Sequence, residues 1–433
     1  MSGQETARAG QPGQAEQLLA SLGTPGAQED PYPLYARLHA LGRAHRAPSG
    51  AVFVTGHDDC AAVLRGPSFA AQSPEWHDRM VPGWRDQPAK VATFEAMLFR
   101  DPPAHTRLRR MVAGSFTHRQ VQQLQATIAA LTDSVLDRLA DAGRSGGRVN
   151  LQRILAGTLP ISVIGALVGV PPADWPGLQA SMSALLEIVE LGTTPEQLAT
   201  ANEAALRLHG YFAALAAERR AVPGDDLASA LALAAGPSGH GDGGAGNGHG
   251  PGGRAADRWL TEEEVAQTLT FVFMAGVDTM INLLTNGTAA LLAHPAQARA
   301  LRDDPGLRPG AVEEILRYDA PVQFVGRVPA EDVVVGGIGV PADGLVIAML
   351  GAANRDPRRF PAPDTFDIRR AGTTVVSFGG GIHHCLGAPL ARMEAGTFFP
   401  ALLSRFPRMA IAGQPQRRGV VFRGFSDLPV AVR

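Results

Sequence analysis

Two stretches of the sequence carry residue types that could do chemistry. One is the run Ser377-Phe378-Gly379-Gly380-Gly381-Ile382-His383-His384-Cys385-Leu386-Gly387. Glycine at this density permits left-handed turns and a close approach of backbone to a neighbour. Cys385 stands just before the helix-forming run 388–395, where backbone N–H groups and the helix dipole favour thiolate over thiol. Such a sulfur is ready for a metal. Zinc normally takes four N/S ligands closed around it. His383, His384 and Cys385 are adjacent, so they cannot all point at one ion, and the only other cysteine is Cys60. An iron–sulfur cluster usually takes four cysteines. Haem asks for one thiolate, because the porphyrin supplies the other four ligands. Against this stands a plainer reading: a lone cysteine is most often a small buried hydrophobe, and a glycine run is most often a loop. Taken alone, the stretch favours the plainer one.

The other stretch is Phe271-Val272-Phe273-Met274-Ala275-Gly276-Val277-Asp278-Thr279-Met280. An acid and an alcohol inside an apolar run are costly unless paired or functional. Ala275 and Gly276 leave a bare patch one turn earlier, where something can press on the backbone. The bland account has the Thr279 hydroxyl bonding back to a carbonyl and bending the helix, with Asp278 in a structural ion pair. Two charged pairs complete the inventory. His105 and Arg109 are four apart and share a helix face, which ordinarily means solvent. Glu314 and Arg317 at i, i+3 are worth only about 0.2–0.5 kcal/mol on a surface.

Elements must position these residues. Thr261 with Glu264 forms a capping box, and Leu260 with Val265 a hydrophobic staple. They open the longest helix, which runs to about His294 before Pro295; at ~1.5 Å per residue it spans roughly 50 Å. Earlier segments read as a helix over 31–41, a strand over 51–55 ended by Gly56, and a helix over 57–64. Residues 73–96 hold two tryptophans and scattered charges without a sustained period, which predicts a long irregular loop of functional kind. Pro102 and Pro103 open a helix, and 121–139 and 154–170 are helical. Helices over 175–190 and 195–220 are joined by Leu191-Gly192-Thr193-Thr194. Residues 236–253 are dominated by glycine and cannot bury apolar surface. With its margins to 256 this stretch reads as a disordered surface insertion, and His240 and His249 are too few there for a metal site. A helix over 311–318 is closed by Ala320-Pro321, and 321–327 is extended. Runs 333–335 and 345–350 read as strands flanking a Gly-Gly turn, followed by proline-rich coil over 353–368.

The chain has 433 residues with 45% apolar content and a net charge of −2. That is ample for a large core and gives no reason to expect a nucleic-acid or anionic-membrane partner. Two cysteines argue against a disulfide framework and fit a reducing compartment. The N-terminus is polar without a basic-then-apolar pattern, and residues 1–30 are expected to be flexible ahead of one domain over 31–433. The longest apolar run, 154–170, contains Thr158, Pro160 and Ser162 and reads as a buried core helix, not a membrane span. These features predict a soluble, cytoplasmic protein.

The pattern Phe378-x-x-Gly381-x-His383-x-Cys385-x-Gly387 resembles the haem-binding signature of the cytochrome P-450 family, with every fixed position present. Other landmarks follow in family order over residues 31–433. The resemblance implies a mainly α fold: a large helical domain with small β sheets, and haem b between the long distal helix and the cysteine loop. It implies Cys385 as iron ligand, pushing electron density toward O–O cleavage, and Asp278 and Thr279 as the proton-relaying catalytic pair. His105, Arg109, Arg327 and His383 would bind the propionates, which need charge-assisted partners when buried. Ala275, Gly276, Phe378, Gly379 and Gly387 would line the cofactor. Met97, Phe271, Met274, Val322, Phe324, Val421 and Phe422 would shape a largely apolar substrate pocket, with helices 175–190 and 195–220 as its lid and the turn over 420–425 entering it. The Glu314–Arg317 pair would be buried scaffold. The family often adds an arginine where this chain has Thr365, so Arg369 or Arg370 is left as a candidate third member.

The implied activity is a monooxygenase acting on dioxygen and a small organic molecule, with secondary metabolism suggested by the Ala/Gly/Arg-rich composition. No flavin or nicotinamide fingerprint occupies spare length, so electrons are expected from a ferredoxin and its reductase, delivered to a monomer. Arg107, Arg110 and Arg392 form either a docking face beside the cysteine loop or a solvated one. The competing readings are peroxide-driven, coupling or desaturating chemistry at the same haem, and a non-enzymatic haem sensor or carrier. The Asp278-Thr279 pair favours dioxygen chemistry over peroxide use, and a sensor or carrier gives no reason for such a pair over the iron.

Overall fold

The long helix forms where its capping signals place it. Thr261 Oγ1 accepts the Glu264 N–H, and the Glu264 carboxylate accepts the Thr261 N–H in return. The helix runs Glu262–Ala293 with three glutamates in its first turn, where the positive end of the dipole favours them. Most of its length is buried, and a helix apolar around its circumference has to be covered on every side. Helices Leu159–Val168, Pro195–Ala221, Arg308–Tyr318 and Ala388–Arg405 do this. Its first half packs with Leu269, Phe273 and Val277 in one core cluster, and its second half with Leu283, Leu284 and Leu291 in another. This is a computed structural model, and it describes residues 13–144, 147–236 and 259–432.

The apolar run expected as one helix over 154–170 is two, Leu151–Ala156 and Leu159–Val168, broken at Gly157-Thr158. The stretch Leu151–Val168 and the long helix are apolar enough to cross a membrane, but 67% and 78% of their most apolar windows are buried within the fold. The 121–139 region is also split, into His118–Gln123 and Gln125–Gly143. The helical pair over the site is Trp175–Leu186, extended by the 3-10 turn Glu187–Val189, and Pro195–Ala221.

Residues 73–96 correct the reading of an irregular loop. They hold helices Pro74–Met80 and Pro88–Phe94 with a 3-10 turn Trp84–Asp86 between them. Each helix has proline in its first turn, and Ser73 caps the first. They are too short to show a period, and an aromatic cluster holds them: the His77 ring stacks on Phe94 at 3.8 Å and tilts against Trp84 at 6.0 Å. The expectation of a loose N-terminus is corrected for residues 13–30, with residues 1–12 outside the described ones. Helices Gln14–Ala20 and Pro25–Glu29 form there. Leu18, Leu19 and Leu22 bury against Tyr35 and Leu38 of helix Tyr32–Leu41. The glycine-rich insertion lies outside the described residues except Gly236, whose N–H donates to Leu260 O.

The main sheet runs Ala44–Arg46, Val52–Val54, Val346–Met349, Phe324–Pro329, Phe69–Ala70. Val52–Val54 and Val346–Met349 pair in parallel and the other neighbours antiparallel. The Gly336-Gly337 turn joins Val333–Val335 to Ile338–Val340, a partner strand that the sequence reading missed. Near the C-terminus, Gln416–Arg418 and Gly424–Asp427 form a hairpin. The next strand, Pro429–Ala431, pairs with both Val149–Asn150 and Ala410–Ile411.

Candidate active site

The cysteine loop is shaped by what it must pass. Gly379 and Gly381 have φ of 69° and 63°, in the left-handed region that glycine occupies without penalty. A Cβ on Gly381 would sit 2.6 Å from Leu64 O, and one on Gly380 3.0 Å from the Arg65 side chain, so helix His57–Arg65 is what presses on the glycines. The Cys385 N–H closes the loop on Phe378 O at 2.9 Å. Asn354 anchors the approach, accepting the Val376 N–H at 3.0 Å and donating to Ser377 Oγ at 2.7 Å.

Cys385 keeps accessible surface, yet burial raises its thiol pKa, outweighing the N–H groups of Gly387 and Ala388 and the charges of Arg109 and Arg392. The N–H groups of the helix start thus act in the expected direction, against the desolvation that a cation on the sulfur would offset. Cys60 is the plainer kind of cysteine, buried and bonded to Val54 O.

Four basic side chains converge beside this loop. The rings of His105 and His383 lie 4.3 Å apart. Arg327 is 4% exposed and donates to Gly326 O at 2.8 Å. Burial pulls its pKa down to about 10, opposed by Asp101, whose carboxylate accepts the Ala71 N–H. Burial, with Arg327, His105 and Arg109 nearby, lowers the His383 pKa to about 3, and His383 Nε2 is buried without a hydrogen-bond partner. Arg109 donates to His384 O at 2.7 Å. Burying positive charge without a matched carboxylate is expensive, so this corner is built for an anionic group.

Across the site, Asp278 is 1% exposed. Arg418 reaches its Oδ1 at 2.9 Å, and Ser183 Oγ lies 3.3 Å from the same atom. The Thr279 hydroxyl donates to Ala275 O at 2.7 Å. Both contacts of the bland account are thus present, while both side chains keep acceptor capacity. A Cβ on Gly276 would meet Ile164 at 2.8 Å, so its bareness also admits helix Leu159–Val168. Asn282, one turn beyond Asp278, was missed. It is buried with neither amide atom partnered, and its i+4 spacing was the available signal. Asp278 and Asn282 floor a recess of about 230 Å³ whose walls include Glu187, Glu190, Arg418 and Phe422.

Of the residues expected around substrate, Met97, Phe271 and Met274 meet in one core cluster. Val322 pairs across to Phe422 through the backbone, and Val421 O accepts the Gln323 N–H. Phe324 is corrected. Its ring turns to the N-terminal cluster and packs edge-on to Tyr35 at 6.5 Å. Alternation along a strand explains this, since positions 324 and 327 face opposite ways.

Glu314 and Arg317 are wholly buried and joined by two hydrogen bonds of 2.9 and 2.7 Å. The third member left open is Arg370, 3.3 Å from Glu314, while Arg369 is exposed. Two of the three suggested docking arginines are already paired, Arg392 with Glu313 and Arg107 with Glu264.

Comparison with known proteins now bears on this geometry. The Cytochrome P450 family model matches residues 309–417. The chain is 38% identical over 413 residues to Cytochrome P450 monooxygenase PikC of Streptomyces venezuelae, covering 93% of this chain and 91% of that one. The chain belongs to the cytochrome P450 family. It is 33% identical over 386 residues to the 6-deoxyerythronolide B hydroxylase of Saccharopolyspora erythraea, 87% of this chain and 89% of that one. Among solved structures it is similar to P450BioI in complex with hexadec-9Z-enoic acid ligated acyl carrier protein, with a TM-score of 0.83, 32% identity, and 94% and 99% of the two chains covered.

As a P450 the chain is an oxidoreductase of the monooxygenase class with a haem-thiolate cofactor and a need for substrate, dioxygen and redox partners. Its residues fit that cofactor. A cysteine sulfur with accessible surface lies in the loop beside the cluster of His105, Arg109, Arg327 and His383, and the buried His383 Nε2 has no hydrogen-bond partner.

Proposed function

We propose that this P450 hydroxylates or epoxidises a small, largely apolar organic substrate in secondary metabolism, using haem b, in the cytoplasm and as a single-domain monomer. The observation that carries the reading is the convergence of Arg327, His105, Arg109 and the unpartnered His383 Nε2 beside the Cys385 loop. The names of PikC and the 6-deoxyerythronolide B hydroxylase support the assignment to secondary metabolism. Electrons would come from a ferredoxin and its reductase.

When bound, the haem supplies dioxygen activation and electron storage. Cys385 Sγ would hold its iron, with the N–H groups of Gly387 and Ala388 moderating the sulfur charge. Arg327, Arg109, His105 and His383 would hold its carboxylates by charge-assisted bonds. Phe378 carries the Arg392 guanidinium 4.5 Å above its ring and would line the cofactor beside the sulfur. Thr279 Oγ1 donates to Ala275 O and keeps lone pairs free to accept a hydrogen bond, so it would hand on its own proton only as it receives another. Asp278, paired with Arg418 through Oδ1 and within reach of the Ser183 hydroxyl through both oxygens, would relay a proton from solvent in the adjoining recess toward Thr279. Met97, Phe271, Met274 and the turn bearing Phe422 would exclude water and orient the substrate C–H bond.

Cys385→Ala tests the reading. The reduced, CO-bound wild-type protein should show the shifted Soret band of thiolate ligation and the variant should lose it. A normal shifted band in the variant would refute the ligand assignment.

A further inference from the structure

Glu190 sits in the short link between the lid helices, after the 3-10 turn Glu187–Val189 and before Pro195–Ala221. Its carboxylate accepts three consecutive backbone N–H groups from the C-terminal hairpin turn: Val420 at 2.7 Å, Val421 at 2.9 Å and Phe422 at 2.7 Å. Successive amides converging on one anion make a nest, and each bond is charge-assisted. The turn is tight, with Gly419 at φ 72° and no room for a Cβ against Phe422 O. A second contact joins the same parts. Arg418, just ahead of the turn, pairs with Asp278 on the long helix, and Ser183 of the lid helix reaches that carboxylate. Between the two contacts runs the recess of about 230 Å³. Leu191 and Gly192 on its rim are exposed, whereas Asp278 and Asn282 at its floor are buried. Glu190 and the three residues that it holds are all half-buried. Water can therefore replace the carboxylate on those amides when the contact opens, so release does not strand a buried donor.

We infer that Glu190 is the latch of this seam, a positioning residue that holds turn 419–422, and with it Phe422, against the lid, and whose release opens the way for substrate. This rests on the proposed reading that the Phe422 turn bounds the substrate space. It ties access to the same hairpin that pairs with Asp278, so the lid link, the pocket wall and the catalytic acid move as connected parts.

The test uses the haem-loaded protein with Glu190→Ala, Glu190→Gln and Glu190→Asp. Hydrogen exchange is read at the Val420, Val421 and Phe422 amides, and 4-phenylimidazole, a haem-ligating probe, is followed by stopped flow. Losing charge-assisted bonds of this kind should speed exchange at the three amides about tenfold or more in Glu190→Ala and Glu190→Gln. Association and dissociation of the probe should both accelerate several-fold with Kd nearly constant, and Glu190→Asp should fall between. The glutamine variant keeps the side-chain volume, so it reports even if the alanine variant folds poorly. Unchanged exchange overturns the latch, as does faster exchange with unchanged probe rates, which would make the contact a brace. The CO spectrum of each protein is recorded in parallel. Its failure would sink the proposed function while exchange at 420–422 still judges the contact.

Discussion

Glu314 is a wholly buried acid shared by two guanidiniums, and its surroundings show what a single position can and cannot reveal in advance. The pair with Arg317 was legible from its i, i+3 spacing, but its burial came only from the family resemblance, because spacing says nothing of Asn354, Pro363 and Thr365 offering carbonyls from distant turns. Arg370 fills the role left open by Thr365 and also donates to Thr365 O. Arg317→Ala should destabilise the fold by about 3–5 kcal/mol, because it leaves the buried Glu314 carboxylate with only the more distant Arg370 and strands the carbonyls that Arg317 served. Arg370→Ala, removing a partly exposed partner, should cost about 1–2 kcal/mol. Chemical denaturation of both variants checks the order, and equal losses would contradict it. His77 supports a pH prediction. Burial lowers its pKa below the ordinary 6.5, and its Nδ1–H donates to Ser73 O, so the folded protein holds it neutral. The unfolded chain binds the proton first on acidification. The stability it contributes is complete above pH 6.5 and falls as the pH drops below that value. Melting curves between pH 7.5 and 5 should show that loss, and His77→Phe should flatten it.

Among elements, local signals were reliable where the chemistry is local. The capping box at Thr261 and Glu264, the glycine turns of the cysteine loop and Pro295 all act within a few residues, so they could be read directly. The elements that escaped, helices Pro74–Met80 and Pro88–Phe94, are held by contacts among His77, Phe94 and Trp84 that no short period announces. Phe324 was misplaced for the opposite reason: the strand was recognised, but its alternation was not applied. Gly276 belongs at this scale too, since its role is to let one helix approach another. Gly276→Ala should cost about 1–3 kcal/mol through overpacking against Ile164. In the Ile164→Ala background the same change should cost much less, so a double-mutant cycle with no coupling would exclude the contact as the reason for the glycine.

At the scale of the molecule, the two ends of the described chain meet around one buried carboxylate. Asp319 is desolvated, yet Arg417 and Arg423 overcome that and hold its pKa below the ordinary carboxylate range, with the Tyr32 hydroxyl donating at 2.7 Å. Arg423 also donates to Gln28 O and Glu29 O. The N-terminal helices therefore brace the hairpin that shapes the site, which their polar composition did not announce. Deleting residues 1–30 should lower the melting temperature by several degrees, consistent with losing a few kcal/mol of apolar burial at Leu18, Leu19 and Leu22. An unchanged melting point would show that the segment contributes nothing to the fold.

The bond from Arg423 to Gln28 spans 395 positions of sequence, and that separation has a kinetic consequence. Contacts so remote can close only after the intervening chain is ordered, because the entropy of joining distant points has to be overcome first. During refolding the helices should therefore regain their ellipticity early, while the pocket wall carried by residues 416–423 arrives in the slowest phase. A half-refolded population would look native in secondary structure and yet be blind to substrate.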